Sequence, residues 1–357
     1  MRRLHTAFLM PGMIAGEDVF SLHDQLLIPK DTVLTDAMIS TLSIHGVVNV
    51  LIKDKPKTQP AVVGPDATYS EKIKNSAEFL QFKDAYEEKV NSLRSKINFA
   101  SEENTKLDMS DLYSDIQQTF KQLSSGSGIF DMLQHMREYD DSTFAHSINV
   151  ALLCNIMANW LKFSEKDIET ATISGLLHDI GKTQISQEIL NKPGKLTKEE
   201  YDIVKRHTVA GYQFLRERGA NLDICNAALM HHERCDGSGY PLGLSGRDIS
   251  KFAKVVAIAD AYDAMTAARL YRGPLCPFNV ISLFEQEGLQ KYDPAYILPF
   301  LENVVNSYIS FSCELSDGRR GTIVYINKHK LGRPVVSCDG EYVDLASNPH
   351  LEIVSLI

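Results

Sequence analysis

None of the six cysteines, Cys154, Cys225, Cys235, Cys276, Cys313 and Cys338, belongs to a CxxC pair. Their scatter excludes a zinc ribbon and a dense disulfide framework, and it suits a reducing compartment. Basic residues are also in deficit: Lys and Arg total 37 against 46 Asp and Glu, a net charge of −9. Non-specific nucleic-acid binding draws its affinity from clustered Lys and Arg, so no DNA partner is expected. No uninterrupted apolar stretch approaches the roughly 18 residues of a membrane-spanning helix, so no membrane insertion is expected. Met1-Arg-Arg-Leu opens with positive charge, but Met10-Pro-Gly-Met-Ile-Ala-Gly interrupts any apolar segment behind it, and no signal peptide is read. The expectation is a soluble, cytoplasmic protein. Its 357 residues, 44% hydrophobic and 23% charged, suffice for a sizeable core.

The chain changes character along its length. Residues 1–54 read as a small α+β domain, with strands around Leu26-Leu-Ile and Val47-Val-Asn-Val-Leu-Ile and a capped helix from Thr35 to near Gly46. Residues 55–128 read as a Pro- and Gly-punctuated linker followed by a charged helical segment, broken at Ser124-Ser-Gly-Ser-Gly128. The helix near Glu71–Asn98 has two readings: a dimerisation or signal-relay helix, or a solvated helix packing on its own domain. From 129 to 308 the period is helical throughout. Ser164 and Thr197 are capping-type starts, and Gly181 and Gly219 suit helix ends. Residues 309–357 are β-rich, with strands expected around Gly321–Ile326, Pro334–Cys338 and Leu351–Ile357. The fold class is therefore mainly α, with a small β-rich N-terminal domain and a short β-rich C-terminal extension.

The helical region holds the chemistry-bearing residues. Five of the 11 histidines fall there in company with acids: His146, His178, His207, His231 and His232, with Asp179 and Asp260. Imidazole suits transition metals and carboxylate can bridge two ions, so seven such residues suffice for a binuclear site. His178 and Asp179 follow the apolar Leu176-Leu177, which carries them into the interior, where a bare carboxylate is costly to bury. His231 and His232 are consecutive; on a helix they point about 100° apart, towards different sides of one metal or towards different metals. Asp260 and Asp263 lie three apart on the apolar segment Val255–Met265. Taken singly, each residue has an ordinary explanation, since an HD dipeptide arises by chance and a paired His can complement a helix C-terminus.

Residues 231–241, His-His-Glu-Arg-Cys-Asp-Gly-Ser-Gly-Tyr-Pro, resemble the signature of the HD-GYP family. Leu177-His-Asp-Ile-Gly-Lys182, Asn191-Lys-Pro-Gly-Lys-Leu-Thr, Arg206-His207 with Gly211, and Asp260–Arg272 fit the same family in the same order, and His146-Ser-Ile-Asn-Val resembles its first metal-binding helix. The resemblance covers roughly residues 129–308. It implies an all-helical metal-dependent phosphodiesterase domain that hydrolyses cyclic di-GMP to pGpG or GMP with two divalent ions, iron or manganese. His146, His178, Asp179 and Asp260 would hold one ion, and Asp179 would bridge to a second held by His207, His231 and His232. Some members add a third metal through a Glu where this chain has Ser142, with Asp140 or Asp141 as substitutes. Two ions about 4 Å apart acidify a shared water and clamp a phosphate for in-line attack. Lys182 would neutralise a phosphate oxygen. Arg269 and Arg272 would hold the dinucleotide phosphates. Asp263 would stand behind the metal ligands or face the substrate, Tyr240 would hydrogen-bond the metal-bound water or a substrate phosphate, and Gly239 would permit a tight turn at the substrate site. Residues 267–270 read Ala-Ala-Arg-Leu where many members have Ser-Asp-Arg-Pro. The Gly-Tyr-Pro surface also serves partner contacts in the family. Two alternatives stand beside hydrolysis of cyclic di-GMP: a non-catalytic sensor that recruits a partner, and a phosphohydrolase for another cyclic dinucleotide such as cyclic GMP-AMP.

Overall fold

A computed structural model describes residues 2–6, 9, 13–21, 25–47, 49–53, 69–122, 129–136, 143–192, 194–266 and 276–357. The chain divides into two units, 1–59 and 60–357. In the first, β1 (Arg2–His5), β2 (Ile14–Ala15), β3 (Val19–Phe20), β4 (Leu26–Ile28), α1 (Asp36–Ile44) and β5 (Asn49–Lys53) follow in order. The strands form an antiparallel sheet β1-β5-β2 and a β3–β4 hairpin. Ala15, Ile28, Leu34, Leu42, Val50 and Ile52 make its small core. Thr35 caps α1 by accepting from the Met38 N–H at 3.3 Å, and Gly46 follows in the left-handed region at φ 69°.

The second unit is helical: α2 (Tyr69–Lys74), α3 (Ala77–Glu102), α4 (Met109–Gln122), α5 (Ile129–Met136), α6 (Thr143–Trp160), α7 (Glu165–Leu177), α8 (Gln187–Leu190), α9 (Lys198–Lys205), α10 (His207–Glu217), α11 (Leu222–Met230), α12 (Lys251–Thr266), α13 (Pro277–Leu283), α14 (Leu289–Lys291) and α15 (Pro294–Asn306). Local chemistry starts several of them. Ser164 accepts from the Asp167 N–H, and Thr197 with Glu200 closes a full capping box on α9. Asn221 caps α11, and Asp293 followed by Pro294 opens α15. α6 is buried almost all round, from Ala145 to Ala158, which makes it the central helix of the core. α7 and α12 pack against it, and α11 against both of them.

α3 packs on its own domain. Its stripe of Phe79, Phe82, Tyr86, Val90, Leu93, Ile97 and Ala100 is buried by α4 and α6. Asp115 of α4 fastens the pair by accepting from Lys89 and Lys96 of α3, each at 2.6 Å.

The tail has five strands rather than the three read from the sequence: β6 (Ser312–Leu315), β7 (Arg320–Tyr325), β8 (Val335–Cys338), β9 (Glu341–Asp344) and β10 (Ile353–Leu356), in antiparallel order β10-β6-β7-β8-β9. β6 and β9 are four-residue strands with few β-branched residues, so their pattern was too short to see. Cys313, Leu315, Ile323, Val336 and Ile353 join the same hydrophobic core as the helices. Glu285 pins this sheet to the helical body by accepting from the Leu331 and Gly332 N–H groups at 2.6 and 3.1 Å.

Candidate metal centre

Six backbone segments converge on one buried cluster. α6 carries His146 in its first turn; α7 ends at His178, its C-cap, followed by Asp179. A 3₁₀ turn, Ile180–Gln184, then carries Lys182. α10 begins at His207, α11 ends with His231 as its C-cap, and α12 supplies Asp260 and Asp263. Gly181 lies just past the end of α7, as read from the sequence, but it does more than follow a helix end. It marks a close crossing, where an added Cβ would lie 2.0 Å from the His207 carbonyl oxygen and 2.5 Å from the Gly211 nitrogen. Only a residue without a side chain lets the turn after Asp179 lie directly on the start of α10, and this crossing brings Asp179 to His207.

The seven side chains fall into two groups whose donor atoms lie within 4.8 Å of one another: His146, His178 and Asp260 in one, Asp179, His207, His231 and His232 in the other. Asp179 joins them. Its Oδ2 lies 3.3 Å from His178 Nε2 and 3.7 Å from His146 Nε2, while its Oδ1 lies 3.3 Å from His207 Nε2 and 3.8 Å from His231 Nε2. One carboxylate oxygen therefore faces each group. His231 and His232 share a group, with ring centroids 4.1 Å apart. α11 stops at Met230, so the rotation expected of consecutive helical residues does not separate them.

The imidazoles are pre-set by what lies behind them. Nδ1 of His178, His207 and His231 meets the carbonyl of Gly175, Val204 and Ala228 at 2.8, 2.7 and 2.9 Å. A carbonyl only accepts, so Nδ1 carries the hydrogen and the Nε2 lone pair points into the cluster. Nδ1 of His146 meets Asp263 Oδ2 at 2.7 Å, while its Nε2 lies 3.2 Å from Asp260 Oδ1. The two acids of α12 thus grip opposite edges of one ring.

Electrostatics follow from this placement. Burial, reinforced by the neighbouring imidazoles, holds His231 well below the ordinary imidazole range. It lowers His207 as well and brings His232 down to about 3. Burial opposes a charge on His146 too, but hydrogen bonds with Asp260 and Asp263 outweigh it and lift this ring to about 9. Burial likewise disfavours the Asp179 carboxylate, yet the Lys182 ammonium and His178 hold it well below its usual value. Lys182 Nζ lies 2.5 Å from Asp179 Oδ2.

His178 Nε2 and Asp179 Oδ1 are fully buried without a hydrogen-bond partner. Orphaned buried acceptors are costly. Lone pairs of imidazole and carboxylate converging on shared points suit divalent transition metals, so the residues present fit such ions.

The loop after His232 forms one wall. Tyr240 stacks on His232 with centroids 4.7 Å apart, and burial keeps its phenol protonated by pushing its pKa up. Glycine is required at Gly239, where a Cβ would lie 2.4 Å from Arg234 N and Glu233 Cα. The sequence reading missed Glu233. This buried carboxylate accepts from the Leu242 and Leu244 N–H groups at 2.6 and 2.9 Å and cinches the loop. An acid inside an otherwise glycine-rich turn was the available signal. Arg269, Arg272, Ser142, Asp140 and Asp141 lie outside the described residues.

Residues 109–296, more than half of the chain, match the family model described as HD domain. This chain belongs to the HD domain family. Over 206 residues it is 34% identical to a cyclic di-GMP phosphodiesterase of Pseudomonas aeruginosa, a match covering 57% of this chain and 49% of that protein. Over 219 residues it is 34% identical to a cyclic di-GMP phosphodiesterase of Thermotoga maritima, covering 60% and 57%. Over 145 residues it is 41% identical to a 3'3'-cGAMP-specific phosphodiesterase of Vibrio cholerae, covering 41% and 34%. The chain thus spans about a third to somewhat over half of these relatives' lengths. No helix among the described residues is long and apolar enough to cross a membrane.

Proposed function

We propose that this HD domain is a phosphodiesterase that hydrolyses cyclic di-GMP to pGpG or GMP with two divalent transition metals, iron or manganese. The observation that carries the reading is the carboxylate of Asp179, with one oxygen facing each of two histidine-bearing groups. His146, His178 and Asp260 would hold one ion, His207, His231 and His232 the other, and Asp179 both. When bound, such a pair supplies Lewis-acid stabilisation of the phosphoryl oxygens and a nucleophile near neutral pH.

The chain's own side chains do the rest. Backbone carbonyls fix three imidazoles with Nε2 as the ligand atom, so the site is organised before anything binds. Lys182, partly exposed and seated on Asp179, places a positive charge where a phosphate oxygen enters. Tyr240 covers His232, limits water on that side and keeps a phenolic proton to donate. Asp263 holds its carboxylate on His146 rather than on substrate.

A second reading keeps the chemistry and changes the substrate to cyclic GMP-AMP, as the name of the Vibrio cholerae relative suggests. Both are tested by purifying the full chain anaerobically, quantifying bound metal, and offering the two dinucleotides separately and in competition. Linear product from the wild type, about two ions per chain, and no product from the His178→Ala/Asp179→Ala variant support hydrolysis. Preference in competition decides the substrate. Saturable binding without turnover on any divalent ion turns the reading to a sensor.

A further inference from the structure

The hydrogen bonding behind His146 does not stop at Asp263. Asp263 Oδ1 accepts from Asn149 Nδ2 at 2.9 Å, and Asn149 Oδ1 accepts from the Tyr86 hydroxyl at 2.7 Å. The same hydroxyl also donates to the Ala145 carbonyl at 2.6 Å, one residue before His146, so its one hydrogen is shared between the two acceptors. Every member is buried: Tyr86 and Asn149 are 0% exposed and Asp263 is 3% exposed. The donors run in one direction only. A carboxylate cannot donate when ionised, so Asn149 must turn its amide nitrogen to Asp263 and its oxygen to Tyr86, and a hydroxyl is what that oxygen requires. At the other end, the same carboxylate fixes the hydrogen of His146 on Nδ1 and leaves Nε2 for the cluster.

Tyr86 lies on α3, outside the residues 109–296 that match the HD domain model. We infer that Tyr86 is a positioning residue for the metal centre, acting on His146 through Asn149 and Asp263. It makes α3 part of the centre's support as well as of the core. The inference rests on the metal-centre reading of the previous subsection. A partner directly behind a ligand typically governs affinity by about 10–100-fold, and Tyr86 stands two links further back.

The test is Mn²⁺ binding to the full chain, with free Mn²⁺ followed by electron paramagnetic resonance. Tyr86→Phe keeps the ring beside Phe82 and removes only the hydroxyl. It should weaken one of two bound Mn²⁺ by roughly threefold and leave the other unchanged, with Asn149→Ala weakening the same ion by about tenfold. In the Asn149→Ala background, Tyr86→Phe should weaken that ion less than it does alone, because only the hydroxyl's contact with the Ala145 carbonyl is then left to lose. A structural role alone would shift both ions together or neither. Wild-type affinity in Tyr86→Phe, or effects of the two substitutions that add in full, overturns the inference and leaves the metal centre standing. A wild-type chain that binds no Mn²⁺ overturns both.

Discussion

Gly181→Ala is expected to damage this protein far more than one methyl group suggests. The added Cβ would sit 2.0 Å from the His207 carbonyl oxygen, 2.5 Å from Gly211 N and 2.8 Å from His207 C, all backbone atoms of the first turn of α10. Ordinary contact begins near 3.4 Å, so α10 and the turn after Asp179 must separate by more than an ångström. No side-chain rotation can absorb that. Overpacking of this kind costs about 1–3 kcal/mol, which for a domain of this size lowers Tm by roughly 2–4 °C per kcal/mol. The displaced residue is His207 itself, whose Nε2 lies 3.3 Å from Asp179 Oδ1. A misplacement of about 1 Å at a reacting centre costs on the order of a hundredfold in rate, so loss of turnover should exceed what the fall in Tm implies. Gly211→Ala is the control at the same crossing: its added Cβ meets nothing closer than 3.3 Å, and alanine favours the helix. Calorimetry, metal content and turnover of both variants decide the matter. Gly181→Ala that melts, loads metal and turns over like the wild type refutes the crossing as the device that sets Asp179 against His207, as does equal damage from Gly211→Ala.

Three other outcomes are expected. Asp179→Ala removes the group facing both halves of the cluster and should abolish turnover and reduce bound metal to a trace; retention of either in elemental analysis or product assays sinks the bridging role. Glu233→Gln offers one acceptor to two N–H donors and should expose residues 233–244 to faster hydrogen exchange and raise KM, at a cost of about 1–3 kcal/mol; exchange like the wild type would contradict the clasp. Burial raises the Asp115 pKa, but the Lys89 and Lys96 bonds outweigh this and hold it below 3.8 in the folded chain. Its stabilisation is therefore present above about pH 4 and lost as pH falls through the folded value, so Asp115→Asn should lower stability by about 1 kcal/mol at pH 7 and converge with the wild type as the folded carboxylate protonates in acid. A gap that persists in acid denies Asp115 that role.

What the sequence disclosed depended on how locally each feature is encoded. α7 and α9 were legible because Ser164 and Thr197 each cap a residue only three positions on, Asp167 and Glu200. The seven ligand-type residues were legible because histidine and aspartate on apolar helices are conspicuous by chemistry alone. Their division into two groups around Asp179 came only from the family resemblance, since no local rule brings residue 146 next to residue 260. Gly181 was noticed for only part of its role. A glycine after a helical run reads as a terminator, whereas the constraint comes from α10, 26 residues further on, pressing on its Cα.

The polar residues that orient the centre are the least legible, and the reason is physical. Tyr86, Asn149 and Asp263 sit on three helices, separated in sequence by 63 and 114 residues. Tyr86 and Asn149 alone look like ordinary interior positions, an aromatic in a helical stripe and an amide in the central helix; Asp263 stood out as a second acid on an apolar helix, but its partners did not. Their meaning is relational. A buried amide has no sense of direction until one neighbour accepts from its nitrogen and the other donates to its oxygen, and α3, α6 and α12 packed together supply both at once. The same logic explains why Asp260 and Asp263 do different work from one helical face. Asp260 meets the Nε2 edge of His146, where lone pairs gather, and Asp263 meets the Nδ1 edge, where a hydrogen is fixed. Exchanging the acid at 263 for asparagine would leave one acceptor for the two donors of Asn149 and His146 and turn an NH2 towards the other, so Asp263→Asn should disturb metal binding while Asp260→Asn removes a ligand outright.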